Sequence, residues 1–414
     1  MSPAPTYEVA IIGAGVIGLA IAEALVAQGH EVVVIDPGTP GMGASYGNAG
    51  TVADYAVMPV GTPDVLRNLP QLLFNKHSPL ALRRAALPSL APWLLRFAGQ
   101  SLPGPARRNA QAIAALVADA CPSWRAMADR IGAAHILQNR GCLYLYETAS
   151  AFRAAEADMA YRRGFGIKAE LISRDTVAQM EPGLPPIEGG AAFFPDAVFM
   201  SDPGQMVAAL AKKVFSGAQF VQARADTLLR VNGLVQVKGP QLSLSAQKVI
   251  IAAGAHSRAL ARSAGDRVPL DTERGYHVEW DMAEPLLSRP ACPTSRGFYL
   301  CPMSGRLRVA GTVELGGLAL PPSPHRIARL IEGARTIFPH LGAPDRDWMG
   351  FRPSMPDSLP VIGPSRAGTD IIHAYGHGHI GLTLAPITAR LVAALVMDRA
   401  PEIELSPYLP SRFH

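Results

Sequence analysis

Residues Val9–Asp36 read VAIIGAGVIGLAIAEALVAQGHEVVVID and specify a strand, a helix and a second strand in succession. The apolar run Val9–Ile12 enters a turn whose glycines are Gly13, Gly15 and Gly18. An Ala-rich helical stretch continues to Gln28, and Gly29 supplies a left-handed stop. A second apolar run, Glu31–Ile35, ends on Asp36. The glycines stand where a dinucleotide-binding unit needs a tight turn, a close approach of backbone to pyrophosphate, and close packing of helix on strand. Ala14–Gly18, with Val16 and Ile17 in its middle, opens the helix, so free N–H groups and the positive end of the dipole face a diphosphate. Asp36, about twenty residues further on, is placed to accept from a ribose hydroxyl. Its carboxylate would repel a 2′-phosphate, which disfavours NADP. FAD and NAD both use such a unit, and a buried strand–helix–strand core that binds nothing is the bland alternative.

The chain has 414 residues, 49% hydrophobic and 17% charged, which allows a sizeable core in two domains, or one domain with an insertion, and excludes general disorder. Cys121, Cys142, Cys292 and Cys301 are scattered, with no CxxC pair and no Cys/His cluster. The expectation is reduced thiols, a cytoplasmic setting and no metal centre. The N-terminal MSPAPTYE lacks the basic region of a signal peptide. Val9–Ala27 is apolar enough to imitate a membrane span, but its glycines and Glu23 fit the turn and helix better.

The net charge of +5 is unevenly spread. Between Val60 and Arg108 stand seven basic residues (Arg67, Lys76, Arg83, Arg84, Arg96, Arg107, Arg108) against one acid, Asp64. Interleaved are LPQLLF, LALRRAAL and LPSLAPWLLRF, punctuated by Pro70, Pro79, Pro88 and Pro92. The pattern suits a helical cap with a basic outer face. A peripheral patch that rests on an anionic membrane or docks an electron acceptor is the sharper alternative. No recognition module or aromatic ladder for nucleic acid is present.

Further along, ASYGNAGT (Ala44–Thr51) is a loop of small residues that lets backbone pass close to a flat ring system. Asn109–Ile131 reads as a helix that Pro122 kinks or splits, and Ala149–Arg163 as another helix. Gly141–Glu147 and Phe220–Val231 read as strands, and Asp202 caps a helix that Pro203 begins. Leu242–Ile251 then runs into Ala252, Ala253 and Gly254 and turns. A nicotinamide enzyme has no obvious use for this second small-residue strand end. In a flavin enzyme it passes beneath the dinucleotide, which favours FAD over an ordinary buried strand. Near the C-terminus come GFRPSMPDSLPVIG (Gly350–Gly363), the strand Ile371–Ala374, and YGHGHIGLTLAP (Tyr375–Pro386), a glycine-studded loop feeding a helix over Leu384–Met397. Backbone N–H groups at that helix start invite the pyrimidine end of a reduced flavin, a plain glycine turn being the alternative.

Taken in order, GAGVIG, VID, IIAAGA, GFRP, PDSLPVIG and GHGHIGLTLAP resemble the D-amino-acid oxidase/dehydrogenase family of FAD enzymes, which includes glycine oxidase and sarcosine oxidase. ASYGNAG and the basic segment after it resemble the bacterial D-amino-acid dehydrogenases most. The resemblance spans nearly the whole chain. It implies bound FAD and oxidation of a substrate C–N bond to an imine that hydrolyses to a 2-oxo acid. By this resemblance Gly13, Gly15 and Gly18 match the pyrophosphate glycines and Asp36 the ribose acid. Ser45, Asn48, Ala49 and Gly50 match the loop along the flavin, and Ala253 with Gly254 the second strand end. Gly381, Leu382 and Thr383 match the loop facing the pyrimidine edge, with Gly378 and His379 just before them. Arg352 matches the arginine that pairs with the substrate carboxylate, and Tyr299 resembles a pocket tyrosine that helps hold it. Some members tie the flavin to a cysteine near the C-terminal motifs; with no Cys after Cys301, that linkage is not expected here.

The chemistry stands apart from the resemblance. An amino acid must present its Cα–H to flavin N5, and one fixed cation on the carboxylate sets that orientation. Arginine suits the task because its planar fork binds a carboxylate through two parallel bonds and keeps its charge. The competing role for Arg352 is a structural ion pair with Asp347 or Asp357, and for Tyr299 a plain strand aromatic. With a neutral amine, hydride leaves as the nitrogen lone pair pushes in, so no general base is nominated. His377, His379 and His277 lack the companions a metal needs. His379 reads as a flavin-side or substrate-pocket residue, and Tyr276 and His277 as a lower-ranked substrate wall.

The expected reaction is oxidation of a D-amino acid, D-proline or D-hydroxyproline being attractive members, with electrons passed to a quinone or carrier. An oxygen-using glycine/sarcosine-type oxidase and an FAD-binding subunit of a heteromeric electron-transfer complex are the alternatives. An NAD dehydrogenase would leave the C-terminal motifs unused. The expected fold is α/β. A Rossmann-type FAD-binding domain, residues 1–56, 196–262 and 350–414, is interleaved with a substrate domain on a mixed or antiparallel sheet, residues 57–195 and 263–349.

Overall fold

The computed structural model of the chain describes residues 5–68 and 80–413; LPQLLF, Lys76 and Pro79 lie outside them. The Gly-turn unit forms as its pattern requires: strand Thr6–Ile12, helix Val16–Val26, then strand Val32–Asp36 parallel to the first, with Ile11 opposite Val34. Gly29, at φ +87°, ends the connection in the left-handed region. Strand Gln219–Gln222 extends this sheet on one side. On the other, Leu242–Ile251 and then Gly368–Tyr375 continue it in parallel. A hairpin of Thr227–Val231 and Leu234–Gly239, turning at Asn232 and Gly233, and the strand Val361–Ser365 add antiparallel margins.

The central parallel strands of this sheet are covered on both faces, as parallel sheets require. Val9 and Ile11 join one apolar cluster; Ala10 and Ile12 join another on the opposite face. The first cluster includes helix Gly381–Val396 and the pair Pro103–Val117 and Ala120–Arg130. The helix read across Asn109–Ile131 is therefore two. The break falls at Ala118–Asp119, and Pro122 sits in the first turn of the second helix, where its missing N–H is not needed. The apolar C-terminal helix is explained by this burial.

The second sheet has nine strands and is mixed but mainly antiparallel. Its central run places Arg346–Ser354 beside Asp271–Asp281, then Arg306–Leu315, Phe298–Met303, Ala291–Pro293, Cys142–Tyr146 and Gly190–Phe194. The alternation of strand side chains gives it two unlike faces. Leu143, Tyr276, Val278, Trp280, Leu300 and Val309 form an apolar face packed with helix Pro324–Ile337. Tyr144, His277, Tyr299, Cys301, Arg308 and Arg352 alternate with them and line the other face, by register.

Candidate active site

The glycine turn is held by close approach. A Cβ on Gly13, which sits at φ +113°, would lie 2.3 Å from the Ala252 carbonyl oxygen, so the second small-residue strand end does run directly against the first turn. Gly15 is different: a Cβ there would meet nothing nearer than Ser45 Oγ at 3.5 Å. Ser45 Oγ accepts from the Val16 N–H at 2.9 Å. Asp36 accepts from the Ala14 and Gly38 N–H groups at 2.8 Å each, with its carboxylate folded towards the turn. The N–H groups of Gly15 and Ile17 have no protein partner among the described residues. Free donors at a helix start, with open space at Gly15, fit a diphosphate, and the Asp36 carboxylate stands beside them. Ala253 and Gly254 follow Ala252, and Gly254 has open space around it.

The loop through Ser45–Gly50 is gripped from the substrate sheet. Arg308, fully buried, donates through Nη1 to the carbonyls of Tyr46 (3.0 Å) and Asn48 (2.5 Å), and through Nε to Glu279 at 2.7 Å. His277 Nδ1 lies 3.2 Å from the Gly47 carbonyl between them. Three successive carbonyls are thus turned towards one sheet, while the Gly47 and Ala49 N–H groups have no partner among the described residues. Asn48 spends its side-chain oxygen on the Gly50 N–H at 2.8 Å. Gly47 rests on Trp348, which stacks on His277 at 5.1 Å; a Cβ on Gly47 would come within 2.2 Å of the indole. Burial would raise the Glu279 carboxyl, but Arg308 and Arg306 outweigh it and hold the group at about 2. Burial and the neighbouring Arg308 push His277 down to about 3, so it is neutral. Of the two residues read as a substrate wall, His277 faces the loop. Tyr276 points into the opposite face and donates to Glu314 at 3.0 Å, because strand neighbours alternate.

Arg352 lies opposite Glu273 and crosses Gly275 on the neighbouring strand; a Cβ on Gly275 would sit 2.5 Å from its Cζ. Its Nη1 reaches the next strand and donates to the Thr312 carbonyl at 2.9 Å. Thr312 sits in a register irregularity at φ +56°, a strained setting for a β-branched residue, and its buried hydroxyl has no partner among the described residues. The bulge aims that carbonyl at the guanidinium. No carboxylate comes within ion-pairing distance of Arg352 among the described residues, and Asp357 pairs instead with Arg412 at 2.8 Å. Burial lowers the Arg352 pKa, with Glu273 opposing. Burial pushes the Glu273 carboxyl up, against Arg352 and a bond from Ser354.

Tyr299 stands one strand beyond Thr312 on the same face, 2.9 Å from the Tyr144 hydroxyl. Burial raises it well above its ordinary value, so it is a neutral phenol. His379 keeps an open face, yet burial and then Arg352 lower it to about 4. Arg352 and Tyr299 are half-buried and His379 is exposed at its surface, and burial is the first cause of the pKa shift at each.

His379 belongs to the one-turn segment Gly378–Ile380 that opens helix Gly381–Val396, three residues earlier than the sequence indicates. Thr383 Oγ1 accepts from the Ala53 N–H at 3.0 Å, tying this helix to the end of the gripped loop. Pro386 cannot donate to the Leu382 carbonyl one turn back; Trp124 Nε1 donates there instead, at 2.8 Å. His377 is turned away to Thr388 at 3.0 Å and is lowered to about 3 by burial. No group of three or more His, Cys, Asp or Glu suited to a metal occurs among the described residues. Sequence reasoning missed Arg308, Glu279, Glu273, Gly275, Thr312 and Trp124. Arg308 and Glu279 carried a faint signal, as charges set between apolar neighbours in RLRVA and HVEW.

Comparison with known proteins gives the family and the fold. The sequence model of the family described as DAO, FAD dependent oxidoreductase, matches residues 8–395. The chain is 36% identical over 418 residues to a D-amino-acid oxidase of Bradyrhizobium diazoefficiens, covering 98% of this chain and 99% of that one. It is 30% identical over 434 residues to D-amino acid dehydrogenase 2 of Ralstonia nicotianae, covering 98% and 100%. The glycine oxidase of Geobacillus kaustophilus superposes with a TM-score of 0.75 at 25% identity, over 99% of each chain. With residues 8–395 matched by the family model and nearly its whole length aligned to the Bradyrhizobium relative, the chain belongs to the DAO family of FAD-dependent oxidoreductases.

Proposed function

We propose that this FAD enzyme oxidises a D-amino acid at Cα, with Arg352 binding the substrate carboxylate and Tyr299 donating to it. The observation that carries the reading is the state of Arg352. Arg274, Arg308 and Arg412 each meet a carboxylate, whereas Arg352 has none within ion-pairing distance among the described residues. A desolvated guanidinium without a counter-ion is built for an anionic ligand. The neutral His379 beside it adds no competing charge. Gly15, Ile17 and Asp36 would hold the diphosphate and ribose, and the N–H groups of Gly47, Ala49 and the helix start at Gly381–Thr383 would face the isoalloxazine. Bound FAD supplies a two-electron acceptor for the substrate hydride. The chain's own part is orientation, which contributes a large share of such catalysis. Arg352 fixes one end of the zwitterion, and the sheet face with Tyr144 and Tyr299 closes off water.

The electrons then leave to a quinone or carrier, which meets the described parts of the basic segment, 60–68 and 80–108. The Bradyrhizobium relative, named an oxidase, favours a second reading in which oxygen is the acceptor. The division into residues 1–56, 196–262 and 350–414 for FAD and the remainder for substrate is proposed with this function; strand Arg346–Ser354 crosses its last boundary. The test is anaerobic bleaching of the flavin, with this chain alone, by D- and L-amino acids, D-proline, D-hydroxyproline, glycine and sarcosine. Bleaching by D-isomers is expected, followed by recolouring on adding either a quinone or oxygen. Bleaching by none of them would contradict the reading and favour a subunit that needs another chain.

A further inference from the structure

A cavity lies between helix Leu87–Gln100, helix Ser257–Ala264 and the segment that leads into strand Asp271–Asp281. Its volume is about 210 Å³. Four arginines converge on it: Arg96 from the first helix, Arg258 and Arg262 from the second, and Arg267 from the segment. Arginines elsewhere in this chain are extensively paired, as Arg130 with Glu23, Arg230 with Asp370 and Arg289 with Glu181 show. None of these four makes an ion pair or a side-chain hydrogen bond among the described residues. Two carboxylates also line the cavity. Asp266 is already spent on His373 Nε2 at 2.8 Å. Asp271 accepts from the Thr272 N–H at 2.8 Å and feels only Arg258 as a nearby charge. Residues 69–79, which precede the first helix in the chain, contain no Asp or Glu.

The floor is apolar. Trp93 and Val268 are buried there, and the Trp93 indole N–H donates to the Ser354 carbonyl at 3.3 Å. On the outer side of the same helix Leu95 is 75% exposed, and Leu87 and Leu102 are exposed at its two ends. Exposed leucines beside uncompensated arginines are the surface chemistry of a helix that lies against lipid head groups.

We propose that this cavity binds a phosphate group carried on an apolar body, the guanidinium groups taking the phosphate oxygens and the Trp93 side the apolar part. Guanidinium forks match phosphate oxygens in geometry as well as charge, and a concave site between two structural units is where such ligands lodge. Two sources share this chemistry, an anionic phospholipid and a soluble phosphate ester. The inference goes beyond the active-site reading and does not depend on it.

The experiment compares the flavin-loaded wild type with the double variant Arg258→Gln/Arg262→Gln, both exposed positions outside the catalytic machinery. Glycerol 1-phosphate binding is measured by calorimetry. Vesicle binding is measured by co-sedimentation with phosphatidylcholine alone and with added phosphatidylglycerol. The wild type is expected to bind at least one of the two anionic probes, more weakly as salt rises, and the double variant to lose about tenfold or more in affinity. Binding of phosphatidylglycerol vesicles with that arginine dependence makes the ligand a lipid; binding of glycerol phosphate alone makes it a soluble ester. Failure of both probes to bind, or binding unchanged in the variant, overturns the proposal. Anaerobic bleaching by a D-amino acid should be the same in both proteins, so failure here is distinct from failure of the active-site reading.

Discussion

At Gly275 the missing side chain is the functional feature. The Arg352 guanidinium lies where a Cβ would be, so Gly275→Ala must push it aside. A displacement of about 1 Å in a positioning group costs on the order of a hundredfold. Gly275→Ala is therefore expected to retain flavin but need at least tenfold more substrate for half-reduction (about tenfold being the conservative end of that range), read by anaerobic titration. Unchanged titration would mean that the arginine does not orient the substrate. Thr312 makes the complementary case. A β-branched residue at φ +56° stores strain, ~1–3 kcal/mol, while aiming its carbonyl at Arg352. Thr312→Gly should hold or raise the melting temperature despite the lost methyl, yet raise KM. Earlier melting with an unchanged KM would leave Thr312 as packing alone. The roles proposed for Arg352 and Tyr299 were readable from the sequence because chemistry restricts those residue types within recognisable motifs. Gly275, Glu273 and Thr312 were not, because cross-strand register and a bulge join residues some forty to eighty positions apart in ways no local pattern encodes.

The decisive element is the loop Ser45–Gly50. Its small residues read as space for a flat ring, and that reading is incomplete: Gly47 is small because Trp348 lies against it. What shapes the loop is the grip of Arg308 and His277 on three successive carbonyls. Removing one partner of a buried ion pair costs about 3–5 kcal/mol, and Glu279 keeps Arg306 and Arg346, so Arg308→Met should cost near 3 kcal/mol. It should also release the loop carbonyls and weaken FAD retention. Thermal denaturation and flavin release on dilution measure the two effects; a variant that melts and retains flavin as wild type does would remove the clamp from the account. Elsewhere, local signals were enough. Asp202 does accept from the Gln205 N–H, and Ala149–Arg163 is a helix with those ends. The strand read over Phe220–Val231 is instead two, Gln219–Gln222 beside the remote Val32–Asp36 and Thr227–Val231 in a hairpin with Leu234–Gly239, with residues 223–226 between them.

Across the whole molecule, buried ionisable groups set the response to acid. His277 and His377 are held near 3 and His379 near 4, chiefly by burial, against an ordinary 6.5. The unfolded chain therefore binds more protons below about 6.5, and stability falls as pH drops through that range towards 3–4. Glu279 adds a second window: its carboxyl is depressed from 4.5 to about 2, so its contribution is present above 4.5 and is lost on approach to 2. Denaturation midpoints of the flavin-saturated protein should decline from pH 6.5 downwards and more steeply below 4.5; a flat profile between those values would show that the histidines titrate normally in the folded state. The two-layer plan was legible because parallel, doubly buried strands and alternating ones differ in composition. The packing of helices Pro103–Val117 and Ala120–Arg130 beneath the C-terminal helix was not, because it depends on Trp124 reaching a carbonyl that Pro386 leaves free.

Stopped-flow anaerobic reduction of the FAD-loaded protein by a D-amino acid, wild type against Arg352→Ala, bears on all of this at once. Two charge-assisted bonds at about 1.5–3 kcal/mol each put the expected loss in apparent affinity at a hundredfold or more, with flavin still bound. An Arg352→Ala protein that bleaches at wild-type substrate concentrations would show that the carboxylate is held elsewhere.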